Sequence, residues 1–182
     1  NPSHWKISSG LLTHIPIVSH LASLGRPLLV STGMASIDDI DLAIEVIKSN
    51  GNNDISLFQC TSIYPTPSED INLSTINWLS DRYGFPVGFS DHSLGDDAVF
   101  LSVGAGASII EKHFSLDVSK PGFDHKISLD RLGLKKMVKR VRLAEKMMGS
   151  DEKVVTKAIS LTRDKYLRYI VALQPIMSGD IF

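Results

Sequence analysis

The sequence lacks two features that would restrict its location. Cys60 is the single cysteine among 182 residues, so an internal disulfide is excluded. No apolar run approaches the ~18 residues that a membrane span needs, and neither an internal repeat nor a low-complexity tract is present. These absences disfavour a disulfide-stapled domain and a membrane protein. A reducing, cytoplasmic location is therefore expected.

An excess of charge of either sign is also missing. The chain has 19 basic and 20 acidic residues and a net charge of -1, which gives no electrostatic basis for binding nucleic acid or an anionic membrane. Its 43% hydrophobic content is enough to bury the core of one domain. Small molecules are the expected partners. Because Asn1 is not an initiator Met and the chain stops at "SGDIF", just after a turn signal, we also expect a fragment.

Short apolar runs alternate with segments of helical period, which is typical of βα units around a parallel sheet. The strands are predicted at 5–8, 27–31, 55–60, 86–90 and 108–114. Helices are predicted at 14–24, after Ser36, at 73–82, at 96–104, and from Ser128 to about Met148 through Leu132, Val138, Val141 and Ala144. A complete eight-fold barrel needs ~200–250 residues, so five units indicate either part of a barrel or an open doubly wound sheet.

The pattern changes after Gly149. Residues 150–164 are polar and are predicted to be a linker, and residues 165–182 read as one strand, a proline and a turn. We expect them to open a second, β-rich domain.

In parallel βα proteins, functional groups gather at the carboxyl ends of the strands. His92 in "GFSDHSLG" and His113 in "SIIEKHFS", 21 positions later, follow two adjacent strands. Neighbouring strands lie ~4.8 Å apart, so two imidazoles there can share one divalent ion whose shell water and oxygen ligands complete. The alternative is that each histidine is a hydrogen-bonded residue at a strand end.

Further polar side chains lie at the other strand ends. Lys6 would be one cation within a ring of hydroxyls suited to a phosphate and a carboxylate, although capping of strand ends explains any single hydroxyl equally well. The ring consists of residues 8, 9, 31, 32, 61, 62 and 90. Gly33 is expected to serve a backbone turn and would also permit close approach of a ligand. The loop 120–130 is either a solvated turn or a substrate loop.

Six motifs occur in order along the chain, and together they resemble the sialic acid synthase family, the phosphoenolpyruvate-dependent N-acetylneuraminate and legionaminate synthases. They are "KISSG", "PLLVSTGMAS", "QCTSIYPTP", "GFSDHSLG", "IIEKHF" and "PGFDHKISLD". The resemblance implies an α/β fold, a (β/α)8 TIM barrel of which residues 1–149 would carry strands 4 to 8. It further implies that a C-terminal antifreeze-like (SAF) β domain begins at about 165, and that the full-length protein is a homodimer.

The resemblance also implies roles for individual residues. His92 and His113 match ligands of a divalent metal, Mn²⁺ or Mg²⁺, and Glu111 matches an acid beside it. Substrate contacts are implied for Lys6, Ser9, Ser31, Ser62 and Ser90 with phosphoenolpyruvate, and for Tyr64 and Asp124 with the sugar. Ser62 departs from an asparagine of some members, and Ser8 from a common alanine.

The implied reaction joins phosphoenolpyruvate to an open-chain N-acylated hexose, such as N-acetylmannosamine, and releases phosphate. A metal-dependent aldolase or isomerase barrel would share the histidines without needing contacts to phosphoenolpyruvate. As the chain stands it is expected to be inactive, because three strands of the implied barrel are not in it, and a non-catalytic fragment is the remaining alternative.

Overall fold

The structure is a computed structural model that describes residues 2–122 and 124–181; Asn1, Phe123 and Phe182 lie outside the described residues. The chain divides into two compact units, one ending at Met148 and one starting at Gly149.

The first unit is a parallel sheet with helices between its strands. The strands are β1 (Trp5–Ile7), β2 (Leu28–Ser31), β3 (Ile55–Cys60), β4 (Val87–Asp91) and β5 (Ile110–Lys112). The helices are α1 (Ile15–Ser23), α2 (Ile37–Ser49), α3 (Thr75–Tyr83), α4 (Asp97–Gly104) and α5 (Arg131–Met148), with short 3-10 turns at Ser9–Leu11 and Ser68–Asp70. All five predicted strands are therefore confirmed, each within two residues at its start.

The strands lie side by side in sequence order, β1-β2-β3-β4-β5, and every pair is parallel. A doubly wound sheet reverses its order at a switch point, and no reversal occurs here. In a flat sheet β1 and β5 would be ~19 Å apart, four strand spacings of ~4.8 Å. Nevertheless Lys6 Nζ on β1 lies 3.6 Å from Glu111 Oε2 on β5. The sheet is therefore strongly curved, and the fold is an α/β half-barrel of five parallel strands.

Residues at alternate positions of each strand form the core between sheet and helices. Ile7, Val30, Leu57 and Phe89 are at most 2% exposed and pack with the apolar faces of the helices. The predicted face of α2 is part of this core, since Ile40, Ala43, Ile44 and Ile47 are all buried. Ser36 begins α2 in a capping box, in which Asp39 Oδ2 accepts from the Ser36 backbone and Ser36 Oγ accepts from Asp39 N.

Two details of the predicted α5 were wrong. The helix begins at Arg131 rather than at Ser128, because Asp130 accepts the hydrogen bond from Gly133 N at 2.7 Å and so acts as the capping residue. Leu132 is 74% exposed instead of facing the sheet, whereas Met137 is buried. The buried stripe thus runs through Met137 and Ala144, seven residues apart on one face of the helix.

The second unit differs from the sequence prediction. A helix, α6 (Lys157–Tyr166), replaces part of the predicted linker, and Thr156 caps it by accepting from Ile159 N at 3.3 Å. The described residues from 149 to 181 form no strand. A strand forms only where a neighbouring strand accepts and donates its backbone hydrogen bonds, and the described part of this segment contains no such neighbour. The apolar side chains of Ile170 and Leu173 are fully exposed. A start of the antifreeze-like domain stays a prediction.

Within the described residues, none of the helices is both long enough and apolar enough to cross a membrane.

Candidate active site

The inner face of the curved sheet carries polar side chains near the carboxyl ends of its strands. The register pairs Cys60 with Ser90 and Ser90 with Glu111, so these positions share one face. Lys6 and Ser31 lie on the same face by alternation, since Ile7 pairs with Val30 on the outer face. Four of the predicted site residues, each on a different strand, therefore lie on one concave surface.

These side chains form a connected network. Lys6 Nζ donates to Ser31 Oγ at 2.6 Å and lies 3.6 Å from Glu111 Oε2. Ser90 Oγ donates to the other oxygen of Glu111 at 2.7 Å. The Lys6 and Glu111 side chains remain 31% and 43% exposed, so their charges face open space rather than the core. The network offers a cation and hydroxyls to an anion that enters the concave side.

A cavity of about 320 Å³ lies over this network. It is lined by Lys6, Ser8, Ser9, Gly10, Ser31, Met34, Cys60, Ser62, Tyr64, Ser90, His92 and Glu111. Eight of the ten predicted site residues line this cavity; His113 and Asp124 lie beside it. A larger groove of about 630 Å³ is lined mainly by apolar and small residues such as Pro65, Leu94 and Leu101. Polar groups suited to catalysis gather in the smaller cavity.

The two predicted metal ligands lie next to each other. The ring centroids of His92 and His113 are 5.5 Å apart. His92 Nδ1 lies 2.8 Å from the carbonyl oxygen of Thr61. Because a carbonyl only accepts, Nδ1 carries the proton and Nε2 keeps its lone pair. Burial lowers the pKa of His92, against the opposing effect of the Thr61 carbonyl, and so favours the neutral imidazole that ligates metals.

The residues predicted to face the sugar are in contact with the histidines. Tyr64 stacks on His92 with ring centroids 4.2 Å apart and meets the edge of His113 at 6.0 Å. Burial raises the pKa of the Tyr64 hydroxyl, so it stays a hydrogen-bond donor at neutral pH. Asp124 Oδ2 lies 3.6 Å from His113 Nδ1, and its side chain is half exposed. Tyr64 and Asp124 therefore flank the histidine pair.

The donor set fits a divalent ion only as an open site. No group of three or more histidine, cysteine, aspartate or glutamate side chains is arranged to hold a metal among the residues that the structure describes. His92 and His113 would supply two nitrogen ligands, and water or substrate oxygens the remaining positions. An open shell of this kind suits a metal that must also bind substrate.

Sequence reasoning missed two parts of the site. Cys60 lines the cavity, and its Sγ lies 3.2 Å from Ser9 Oγ; its position two residues after the inward Phe58 was the available signal. Gly33 was predicted to serve a backbone turn and also to allow close approach of a ligand, and the second role stays a prediction. A Cβ at this position would lie 2.6 Å from Cys60 Sγ and 2.8 Å from Ser62 Oγ. Gly33 therefore permits close packing of the loop after β2 on the end of β3.

The second missed part is an ion pair on the outer face. Lys112 Nζ donates to Asp91 Oδ2 at 2.8 Å, and both side chains are 1% exposed. Each residue stands between two predicted site residues in the sequence, which places it on the opposite side of its strand.

Comparison with known proteins identifies the family. The family model described as the NeuB family matches residues 1–153. The chain is 41% identical over 174 residues to the N,N'-diacetyllegionaminic acid synthase of Legionella pneumophila, covering 87% of this chain and 49% of that protein. It is 38% identical over 182 residues to a pseudaminic acid synthase of Campylobacter jejuni, covering 100% of this chain and 53% of that protein.

A solved structure agrees. The N-acetylneuraminic acid (sialic acid) synthetase of Leptospira borgpetersenii, crystallised with citrate, matches with a TM-score of 0.84 and 32% identity, covering 90% of this chain and 57% of that one. The chain thus spans about half the length of the curated relatives that it matches. The family match extends through all five strands of the half-barrel and every predicted site residue, and the chain belongs to the NeuB family.

Proposed function

We propose that the full-length protein condenses phosphoenolpyruvate with an N-acylated hexose, such as N-acetylmannosamine, to give a nonulosonic acid and phosphate. Membership of a family whose relatives include legionaminic and pseudaminic acid synthases supports this reaction class. One observation carries the proposal for this chain. Lys6 and Glu111, on the two end strands of the described sheet, meet within 3.6 Å beside a pair of adjacent imidazoles.

The lysine and hydroxyls suit the trianionic substrate. Lys6, with Ser31 as its hydrogen-bond partner, would pair with the phosphate or carboxylate of phosphoenolpyruvate. Further donors would come from Ser9, Ser62 and Ser90, which line the same cavity. Fixed donors on several strands orient the enol carbon for attack without having to reorganise during the reaction.

The histidine pair suits the sugar aldehyde. His92 and His113 would hold a divalent ion, Mn²⁺ or Mg²⁺, which when bound supplies a Lewis acid for the aldehyde oxygen. Tyr64 and Asp124 flank the imidazoles and would contact hydroxyl or N-acyl groups of the open-chain sugar. The enol carbon of phosphoenolpyruvate would then bond to the aldehyde carbon at the centre of the cavity.

Glu111 has the position of a group that handles water or a proton. Its two oxygens contact Ser90 and Lys6, and 43% of its side chain is open to the cavity. Once the carbon–carbon bond has formed, water adds to the cationic carbon that bears the phosphate. Glu111 would orient this water or accept its proton. Cleavage of the C–O bond then releases phosphate and leaves the keto acid.

For the remaining features of the full-length protein, the proposal is based on family membership. A complete TIM barrel, a C-terminal antifreeze-like domain, a homodimer and a cytoplasmic location are features that we propose for the full-length protein. The half-barrel supports the first of them, because its open sides leave room for further strands.

The test is a phosphate-release assay with phosphoenolpyruvate labelled with ¹⁸O at the bridging oxygen. The full-length protein, with Mn²⁺ and a panel of mono- and di-N-acetylated hexoses, should release phosphate only when a sugar is present. Because the C–O bond breaks, the label should appear in the phosphate. Sugar turnover that does not depend on phosphoenolpyruvate would instead favour an aldolase or isomerase, and label retained in the organic product would refute the mechanism.

A further inference from the structure

The ion pair between Asp91 and Lys112 joins the ends of β4 and β5 behind the cavity. The two residues are register partners, as are Ser90 and Glu111 one position earlier. Ser90 donates to Glu111 on the inner face, and Lys112 donates to Asp91 on the outer face. The two strands are therefore linked through side chains on both faces, directly before the residues that carry the imidazoles.

The link on the outer face is a set of three hydrogen bonds that connects Lys112 with the two residues on either side of His92. Lys112 Nζ donates to the Ser93 carbonyl at 2.6 Å as well as to Asp91 Oδ2. Ser93 N donates to Asp91 Oδ1 at 2.8 Å. Asp91 and Ser93 flank His92, so their turn fixes the backbone from which its imidazole projects. Lys112 precedes His113, and one ammonium group thus ties both histidine-bearing segments together.

Stability alone is a weak reason for this arrangement. The cost of burying two charges offsets much of their attraction, and well-packed apolar side chains of similar size are often as stabilising. In some proteins, buried polar or charged groups instead specify the register and geometry of the elements that they join. Here the pair lies where a small slip of β4 against β5 would change the spacing of the two imidazoles.

We propose that Asp91 and Lys112 are positioning residues, which hold His92 and His113 at the separation at which both imidazoles bind one divalent cation. This inference rests on the proposed function, because it needs the histidine pair to be the metal site. Residues behind metal ligands typically change metal affinity by about 10–100-fold when they are replaced. We expect an effect in that range although neither side chain reaches the cavity.

The experiment compares stability with metal binding in the full-length protein. The double variant Asp91→Leu/Lys112→Met removes both charges but keeps much of the side-chain volume. Calorimetric titration with Mn²⁺ gives the affinity, the visible spectrum of the Co²⁺-loaded protein reports ligand geometry, and a thermal melt reports stability. The matched control, Asp41→Leu/Arg82→Met, removes an ion pair between α2 and α3 that is 2.7 Å long and lies outside the site.

We expect the double variant to melt near the wild-type temperature, to bind Mn²⁺ at least tenfold more weakly, and to show an altered Co²⁺ spectrum. The control should change neither metal measurement. Unchanged Mn²⁺ affinity in the double variant would overturn the inference. If the double variant does not fold, Asp91→Asn/Lys112→Gln decides, because it removes both charges and keeps an acceptor for Ser93 N and a donor for the Ser93 carbonyl; unchanged affinity there overturns the inference too.

A separate variant distinguishes failure of the inference from failure of the proposed metal site. If His92→Ala weakens Mn²⁺ binding and the ion-pair variants do not, the positioning role alone is wrong. If His92→Ala also leaves the affinity unchanged, the histidine pair is not the metal site, and the inference falls with it.

Discussion

Replacement of Lys6 by methionine tests the anion-binding part of the site most directly. Lys6 is a cation that lines the cavity, with its Nζ 2.6 Å from Ser31 Oγ and 3.6 Å from Glu111 Oε2. A hydrogen bond to a charged group contributes about 1.5–3 kcal/mol. Since 1.4 kcal/mol corresponds to a factor of ten, losing such a bond to phosphoenolpyruvate should lower kcat/KM for this substrate by about 10–100-fold.

Stability should change much less than activity. The Lys6 and Glu111 side chains are 31% and 43% exposed, so solvent screens their attraction, and an ion pair of this kind contributes about 0–1 kcal/mol. Methionine keeps an aliphatic side chain of similar length and loses only the ammonium group, whose Nζ lies 5.5 Å from the centroid of the Phe58 ring. We therefore expect a large loss of kcat/KM with a nearly unchanged melting temperature.

The assay measures initial rates of phosphate release by the full-length protein at several phosphoenolpyruvate concentrations. Lys48→Met is a matched control, because Lys48 also lies over a phenylalanine ring, with Nζ 5.1 Å from the Phe85 centroid, on a helix away from the cavity. An unchanged kcat/KM in Lys6→Met would refute the assigned role of Lys6. An equal loss in both variants would show that the loss does not come from the anion site.

Two further predictions concern the metal site and the close packing of β4. His92→Ala and His113→Ala should each weaken Mn²⁺ binding at least tenfold, or ~1.4 kcal/mol, in calorimetric titrations, and an unchanged affinity in both would exclude the pair as ligands. Gly88→Ala should lower the free energy of unfolding by about 1–3 kcal/mol in urea titrations, because the new Cβ would lie 2.6 Å from the Phe58 ring. Gly104→Ala, with its nearest contact at 3.8 Å, is the matched control, and equal losses would contradict the packing argument.

The sequence was most informative where one periodic pattern determined the result. Short apolar runs predicted the five strands, and the 3.6-residue period of α2 predicted that helix together with its buried face, because burial of one face is what stabilises an amphipathic helix. The rule that functional groups gather at the carboxyl ends of parallel strands predicted that Ser90 and Glu111 belong to one site, and the register pairs them. What these patterns do not show is the curvature of the sheet, and the contact between Lys6 and Glu111 depends on it.

Other features depended on contacts that have no local signal. Lys112 and Asp91 are separated by 21 positions, and only the register of β4 with β5 makes them partners. A charged residue in a short apolar strand indicates that a partner exists but does not identify it. The start of α5 was misplaced because Ser128 and Asp130 are both acceptable capping residues, and the contact from Gly133 N decides between them.

The last prediction is that the 182-residue chain, purified by itself, does not catalyse the condensation. Within the described residues β1 and β5 are the end strands of the sheet, and each has one edge without a strand partner. Such edges favour association with other chains. Lys6 and Glu111 project from these end strands, so the cavity is open to water along one side. Water weakens the electrostatic interactions that would stabilise the transition state, and catalysis should fail even if the half-barrel keeps its form.

Circular dichroism and a thermal melt first establish that the isolated chain is folded. The chain is then incubated with Mn²⁺, phosphoenolpyruvate and N-acetylmannosamine, and phosphate release is followed beside a full-length relative. Turnover within tenfold of that relative would show that the five strands suffice and that closure of the sheet is not needed. Activity regained only when a peptide with the first three barrel strands of a relative is added would support the opposite conclusion. Closed edges would then be a condition for the anion site to act, because Lys6 and Glu111 hold their positions on strands that need partners on both sides.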